Sequence, residues 1–126
     1  MAGRSTGSLD SIGGNVDTVA STKFTGIRSN GERIVIQFEV GRPYLRGKHG
    51  ADDWACPLSL TPLYRNLADS GSNDPVHALC LAISLALQLL GGFREDGGRL
   101  EYDDGTEVPL EAFAFGISAQ GGSNAV

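Results

Sequence analysis

Carboxylates are the most numerous reactive side chains in this sequence, and they occur as neighbouring pairs in turn-like segments. The pairs are Asp52-Asp53, Glu95-Asp96 and Asp103-Asp104, with Glu101 and Glu107 flanking the last of them. Paired carboxylates perform general acid–base catalysis only in a cleft that shifts their pKa values. Turns use the same residues for backbone hydrogen bonds and solubility. We therefore interpret these acids as surface residues.

His77 and Cys80 are the second candidate group, because a spacing of three residues makes them neighbours on a helix. A zinc site needs about four ligands, and neither His49 nor Cys56 stands at a spacing that would complete one. We also expect Cys80 to be buried among leucine and alanine, where its thiol is a poor nucleophile. The sequence therefore predicts no catalytic residues, no metal and no cofactor.

One basic cluster surrounds Tyr44 and consists of Arg42, Arg46, Lys48 and His49. Such a loop could hold a phosphate or RNA, with the tyrosine as a stacking surface. The chain as a whole carries a formal charge of -5, however, and nucleic-acid binding depends on neutralising phosphates with Lys and Arg. We interpret the cluster as part of a solvent-exposed loop between strands, and we predict no nucleic-acid partner.

The segment from Asp74 to Gly92 would position much of this chemistry, and it has the features of a helix. Asp74 is a suitable N-cap, Pro75 suits the first helical position, and Gly91-Gly92 is a plausible end. We predict a core helix from Pro75 to Leu90 that is too short to span a bilayer, which takes about 20 residues. The polar residues of this helix form one stripe, His77, Ser84 and Gln88, with Leu81 between them. Nearly all its other residues should be buried.

Strand patterns precede this helix. Asn30-Gly31 lies between two strand-like runs, 22–28 and 32–40, and is a strong hairpin signal. In the second run alternation directs one set of side chains to the helix (Ile34, Ile36, Phe38 and Val40) and leaves the other set mostly in water (Val35, Gln37 and Glu39).

The third strand should run from Trp54 to Leu60, with Pro57 at an edge or a bulge. For 63–68 we favour a short fourth strand over a single helical turn, and a loop follows at 69–73. After the helix, 93–98 is a predicted connection, Asp104-Gly105 forms the tip of a second hairpin, and 109–113 is a helical turn. The expected fold is α+β: an antiparallel sheet of about four to five short strands packed on one long central helix, about 75–90, with flexible termini.

Composition divides the chain into one α+β domain at 22–117 between flexible Gly/Ser-rich tails at 1–21 and 118–126. An order-on-binding role is the alternative for the first tail. The N-terminus lacks the apolar run of a signal peptide, so we predict a cytoplasmic protein without membrane attachment. In that compartment Cys56 and Cys80 are expected to be buried free thiols, and a disulfide between them is the alternative.

Three short motifs occur in order: G-R-P-Y at 41–44, D-W-A-C-P-L at 53–58 and D-P-V-H-A-L-C-L-A-I at 74–83. Their order and spacing resemble a group of small uncharacterised bacterial proteins that share G-x-P-Y, W-x-C-P and D-x-x-x-A-L-x-L-A segments. The motifs have packing roles in a turn, a strand and a helix start. The resemblance therefore implies a shared fold and no particular activity.

Small size and acidic charge favour a non-catalytic bacterial protein-binding module, of the kind found in immunity proteins and antitoxins that inhibit a toxin or effector enzyme. Its partner should have a basic surface, which carboxylates attract over long range. A phage-encoded inhibitor of host defence, a structural subunit that homodimerises through the helix, and a small enzyme using His77 or His49 are the alternatives. The candidate partner-binding residues are Asp52, Asp53, Asp69, Glu95, Asp96, Asp103, Asp104, Tyr44 and His77.

Overall fold

The computed structural model describes residues 17–113, and these form seven strands and two helices. The predicted tails therefore lie outside the described residues, except that β1 begins at Thr18, within the segment assigned to the first tail. The elements in chain order are β1 (Thr18–Ile27), β2 (Arg33–Gly41), β3 (Tyr44–Leu45), β4 (Trp54–Cys56), β5 (Leu58–Thr61), β6 (Ser70–Ser72), α1 (Pro75–Glu95), β7 (Arg99–Glu101) and α2 (Leu110–Phe113).

The strands form two antiparallel sheets. The larger has the order β5-β2-β1-β7, and the smaller has the order β3-β4-β6. Helix α1 contacts strands of both sheets. The predicted α+β class, with antiparallel strands packed on one long helix, is therefore confirmed, and the division into two sheets is the feature that the sequence pattern did not indicate.

The β1–β2 hairpin forms where Asn30-Gly31 predicted it. Gly31 has φ +92°, a conformation that glycine adopts without steric cost. The Glu32 amide donates to Asn30 Oδ1 at 2.9 Å, which fixes the turn. Across the hairpin Phe24 pairs with Ile36, so that both side chains enter the core.

The face predicted for β2 is correct for its apolar residues, since Ile36, Phe38 and Val40 are buried and Ile34 is partly buried. The expectation that Glu39 would be exposed to solvent is wrong, because only 3% of the residue surface is exposed. Glu39 lies opposite Ser59 of β5 on one side and opposite a residue of β1 on the other. Alternation assigns a residue to a face, but it cannot show that flanking strands shield that face.

The predicted strand from Trp54 to Leu60 is two strands that belong to different sheets. β4 pairs with β3 and β6, whereas β5 pairs with β2. Pro57 lies buried at the junction, and its missing N–H interrupts the ladder at the point where the chain changes sheet. The predicted strand at 63–68 is also wrong. The strand that follows, β6, has the sequence Ser-Gly-Ser, which lacks the β-branched and aromatic residues that usually mark strands.

Helix α1 begins as predicted, with Asp74 as N-cap accepting from the His77 amide, but it ends at Glu95 and not at Leu90. Gly91 and Gly92 lie inside it. The true end has Gly97 at φ +98°, and the amides of Gly97 and Gly98 donate to the carbonyls of Arg94 and Phe93, each at 3.0 Å. These are the two bonds of a Schellman motif.

At 21 residues, α1 is long and apolar enough to cross a membrane by length and composition, which corrects the expectation that it would be too short. The core helix of a soluble domain meets the same criterion, so one such helix is weak support for a span. The cytoplasmic location stays a prediction.

The core lies between α1 and the sheets. Ala78, Ala82 and Ala86 follow one another at four-residue steps and are fully buried, which lets the helix approach the strands closely. Phe24 of β1 has its ring 5.8 Å from Tyr102 and 6.2 Å from Phe113, both in edge-on geometry. These contacts attach the turn that follows β7, and helix α2, to the larger sheet.

Candidate partner-binding surface

Asp53 closes the loop between β3 and β4. Its carboxylate accepts two bonds from Arg46, at 2.9 Å from Nε and 2.8 Å from Nη2. The amides of Lys48 and His49 also donate to it, at 2.9 and 3.0 Å. The Arg46 guanidinium, followed by these two amides, holds the pKa of Asp53 well below its usual range. Asp53 is buried and its oxygens are engaged within the loop, so the structure shows its carboxylate stabilising the loop.

The basic residues predicted around Tyr44 do not form one cationic patch. Arg46 is held by Asp53, and Arg42 Nε lies 3.6 Å from Asp17 Oδ2. Lys48 and His49 are exposed in the loop, beside the exposed Asp52. The loop therefore has mixed charge, which gives it no marked preference for an anion.

Tyr44 and Asp69 contact each other, although they are far apart in sequence. The tyrosine hydroxyl donates to Asp69 Oδ2 at 2.6 Å, and this bond is the main reason why the pKa of Tyr44 is raised. Tyr44 remains 38% exposed. The pair joins β3 to the segment before β6, and Tyr44 stays at the surface.

His77 and Cys80 are both exposed on α1, so the expectation of a buried Cys80 is wrong. His77 Nδ1 and Ser72 Oγ are joined by a hydrogen bond of 2.7 Å. Cys56 is buried and free, and burial raises the pKa of its thiol to about 11. Within residues 17–113, no group of three His, Cys, Asp or Glu side chains is arranged to hold a metal ion.

Glu95 and Asp96 are exposed at the C-terminal end of α1. Carboxylates are electrostatically unfavourable there, because the helix dipole is negative at this end. The cation of the last turn, Arg94, does not neutralise them, since its Nη2 lies 2.7 Å from Glu111 Oε2. This end of the helix is therefore a strongly negative point on the surface.

The second hairpin turn carries three exposed carboxylates close together in sequence, and we name Asp103, Asp104 and Glu107 the acidic turn. The turn is held by bonds from the Gly105 amide to the Tyr102 carbonyl (2.9 Å) and from the Tyr102 amide to the Thr106 carbonyl (2.8 Å). Asp104 Oδ1 accepts from the hydroxyl of Thr106 at 2.7 Å and from its amide at 2.9 Å, and these bonds lower the pKa of Asp104. All three carboxylates are exposed, and none has a cationic partner within the described part of the chain.

The predicted partner-binding residues thus fall at separate places: the loop and edge of the smaller sheet, the two ends of α1, and the acidic turn. Glu107 was not among them. The predicted hairpin could have identified it, because a hairpin with its tip at Asp104-Gly105 places Glu107 close to that tip. In the structure Glu107 forms a β-bridge with Glu101.

Most of the described arginines form ion pairs within the protein. Every described arginine except Arg65 lies within ion-pair distance of a carboxylate, and the pairs are Arg28–Glu32, Arg33–Glu101, Arg42–Asp17, Arg46–Asp53, Arg94–Glu111 and Arg99–Glu101. The excess negative charge of the chain is therefore left on carboxylates that no arginine offsets.

Comparison of the chain with protein-family models, with curated proteins and with solved structures finds no match in any of the three. The resemblance of the G-x-P-Y, W-x-C-P and D-x-x-x-A-L-x-L-A segments to a group of bacterial proteins stays a prediction.

Proposed function

We propose that this protein is a non-catalytic binding module for a basic protein, of the immunity or antitoxin type, and that the acidic turn is its first point of contact. The observation that carries the proposal is the exposure of Asp103, Asp104 and Glu107 without cationic partners, while the arginines are engaged elsewhere. Uncompensated surface charge of one sign attracts a partner of the other sign and raises the association rate.

The turn is also ordered before binding. Its backbone bonds hold the main chain of the turn, and the two bonds from Thr106 hold the carboxylate of Asp104, so that little backbone entropy is lost when a partner docks. A toxin or effector enzyme that handles nucleic acid would supply a suitable basic surface. A phage inhibitor of a host enzyme would use the same chemistry, and the identity of the captured partner distinguishes the two.

The test begins with capture of the partner from the native host at one-to-one stoichiometry, followed by measurement of its association rate at low and high salt. Asp103→Lys and Glu107→Lys should slow association several-fold at low salt, with little effect at high salt. Asp104 is left intact because it holds the turn.

Glu32→Lys is the matched control, since it makes the same change in net charge at the β1–β2 turn, where Glu32 is already paired with Arg28. If Glu32→Lys slows association as much as Asp103→Lys does, the effect belongs to net charge and the assignment of the acidic turn is wrong. A captured partner that is acidic would overturn the proposal itself.

A further inference from the structure

The turn between β1 and β2 is closed by two main-chain hydrogen bonds. The Arg28 amide donates to the Glu32 carbonyl, and the Gly31 amide donates to the Arg28 carbonyl, both at 2.8 Å. Residues 29–31 form a common hairpin loop, in which a glycine at positive φ follows a type I turn. Asn30, just before that glycine, is exposed, and its Oδ1 accepts the Glu32 amide at 2.9 Å. The Gly31 amide is therefore held inside the turn, next to an exposed side-chain amide.

The turn at 102–106 repeats this arrangement with an aspartate at the position of Asn30. Its two main-chain bonds are 2.8 and 2.9 Å long, and its glycine, Gly105, has φ +88°. Asp104 Oδ1 accepts the amide two residues further on at 2.9 Å, the same length as in the first turn. The chain therefore contains its own example of an aspartate in the geometry that Asn30 occupies.

An asparagine that precedes a glycine is the least hindered site for deamidation, because glycine has no Cβ beside the attacking nitrogen. At this turn the Gly31 nitrogen gives up its proton and bonds to Cγ of Asn30, and the side-chain nitrogen leaves as ammonia with that proton. Water then opens the resulting five-membered imide at either of its two carbonyl carbons. One opening yields aspartate. The other yields isoaspartate, in which the main chain runs through the former side chain.

The closed turn opposes the first step of this reaction. The Gly31 proton must be removed before the nitrogen attacks, yet that proton is bound to the Arg28 carbonyl, which cannot carry it away. Exchange of the same amide hydrogen with solvent has the same requirement and takes place when the hydrogen bond opens. Deamidation of Asn30 and exchange at Gly31 should therefore depend on one event, the opening of this turn.

We propose that Asn30 is a covalent modification site, which deamidates through the open form of the turn at a rate set by the hydrogen bond between Gly31 and Arg28. Asn30 is the one described asparagine that precedes a glycine, since Asn66 and Asn73 precede residues whose side chains crowd the attacking nitrogen. The site is separate from the acidic turn and does not depend on the proposed partner.

The two products should affect the fold differently. Aspartate at position 30 keeps the turn, because Asp104 makes the same bonds in the equivalent position. Isoaspartate lengthens the main chain of the loop, directly beside the pairing of Ile27 with Arg33 that sets the strand register. Either product adds one negative charge to a chain of formal charge -5.

The test is incubation of the full chain in mildly alkaline buffer, once folded and once unfolded in guanidinium chloride. Peptide mass spectrometry measures deamidation at each asparagine, and NMR measures exchange of the Gly31 amide hydrogen. The folded chain should deamidate at Asn30 about tenfold or more slowly than the unfolded one, because the turn must open first. Equal rates would overturn the role of the hydrogen bond. Faster modification of Asn66 or Asn73 in the folded chain would overturn the assignment of the site.

Variants of the loop test the link between opening and modification. Ser29→Gly gives the open turn more conformational freedom, so deamidation and Gly31 exchange should both rise several-fold. Ser29→Ala is the matched control, since it keeps the Cβ and should change neither rate. If exchange rises in Ser29→Gly while deamidation does not, the turn does not control the reaction.

Asn30→Asp makes one product directly and should melt within a degree or so of the wild type, because Asp104 shows that the turn accommodates aspartate. A variant that melts several degrees lower would contradict the predicted tolerance of the product.

Discussion

Arg46 and Asp53 bind each other at two points, with Nε and Nη2 of the guanidinium 2.9 and 2.8 Å from the two carboxylate oxygens. The same carboxylate accepts the amides of Lys48 and His49, so one side chain organises the whole loop between β3 and β4. The guanidinium also occupies the space where Gly71 has no side chain, with Nη2 only 2.7 Å from the position of an added Cβ. The loop is thereby attached to β6 as well as to β4.

Asp53→Asn should lower the melting temperature by several degrees, because the amide cannot accept both guanidinium bonds and leaves Arg46 without a counter-charge. Asp52→Asn is the matched control, since Asp52 is the exposed neighbour in the same loop and should melt within a degree or so of the wild type. Thermal unfolding followed by circular dichroism measures both. Equal melting temperatures for the two variants would show that the closed loop does not contribute to stability.

Acid should destabilise the protein through the same group. The pKa values of Asp53, Asp104 and Glu111 are all lowered in the folded chain by hydrogen bonds, and Arg46 is the main cause for Asp53. A carboxyl with a lowered folded pKa stabilises the fold fully above its unfolded pKa, about 3.9 for Asp, and loses that contribution as pH falls below it. The midpoint of urea unfolding should therefore fall steeply below about pH 4.

Asp53→Asn supplies the check on this interpretation. The variant cannot gain a proton at position 53, so its stability should depend less steeply on acid pH than that of the wild type. Parallel curves for the two proteins would assign the acid effect to other carboxylates.

The glycines at the end of α1 should respond in opposite directions to alanine. Gly92→Ala adds a Cβ with no neighbour within 4 Å inside the helix and should raise the free energy of unfolding by about 0.5–1 kcal/mol. Gly98→Ala places a Cβ 2.5 Å from the Phe93 ring and 2.8 Å from the Phe93 carbonyl oxygen, and should lower it by roughly 1–3 kcal/mol. Denaturant unfolding of the two variants tests this contrast. If Gly98→Ala is as stable as the wild type, the Schellman end of α1 is not as close-packed as the structure shows.

Local signals predicted the elements that local chemistry determines. Asn30-Gly31 predicted the first hairpin, Asp74-Pro75 the start of α1, and Asp104-Gly105 the second turn, because each depends on a few adjacent residues. The end of α1 was misplaced for the same reason. Gly91 and Gly92 resemble a helix C-terminus in sequence, but the residue with the helix-ending conformation is Gly97. Phe93, which follows the glycine pair, packs against the core while still in the helix.

Non-local contacts account for most of the remaining errors. The change of sheet at Pro57, the burial of Glu39 and the pairing of Tyr44 with Asp69 all depend on segments far away in the chain. The two hydrogen bonds from Arg46 to Asp53 were also missed, because the sequence shows that the two residues are near each other but not how their side chains are oriented. The acidic turn was indicated correctly as an exposed feature because a hairpin tip exposes its side chains whatever the rest of the fold does.

The two cysteines should differ sharply in reactivity, which the sequence did not predict. Cys80 is exposed on α1, whereas Cys56 is fully buried with its Sγ 3.3 Å from the Gly41 carbonyl oxygen and its pKa raised to about 11. A thiol reagent attacks the accessible thiolate, so one equivalent should react promptly with the native protein and the second only after unfolding. Mass spectrometry of the labelled peptides identifies the site. Cys80→Ser should abolish the fast phase while leaving the slow one, and labelling of Cys56 at the native rate in that variant would mean that β4 and β5 open readily around it.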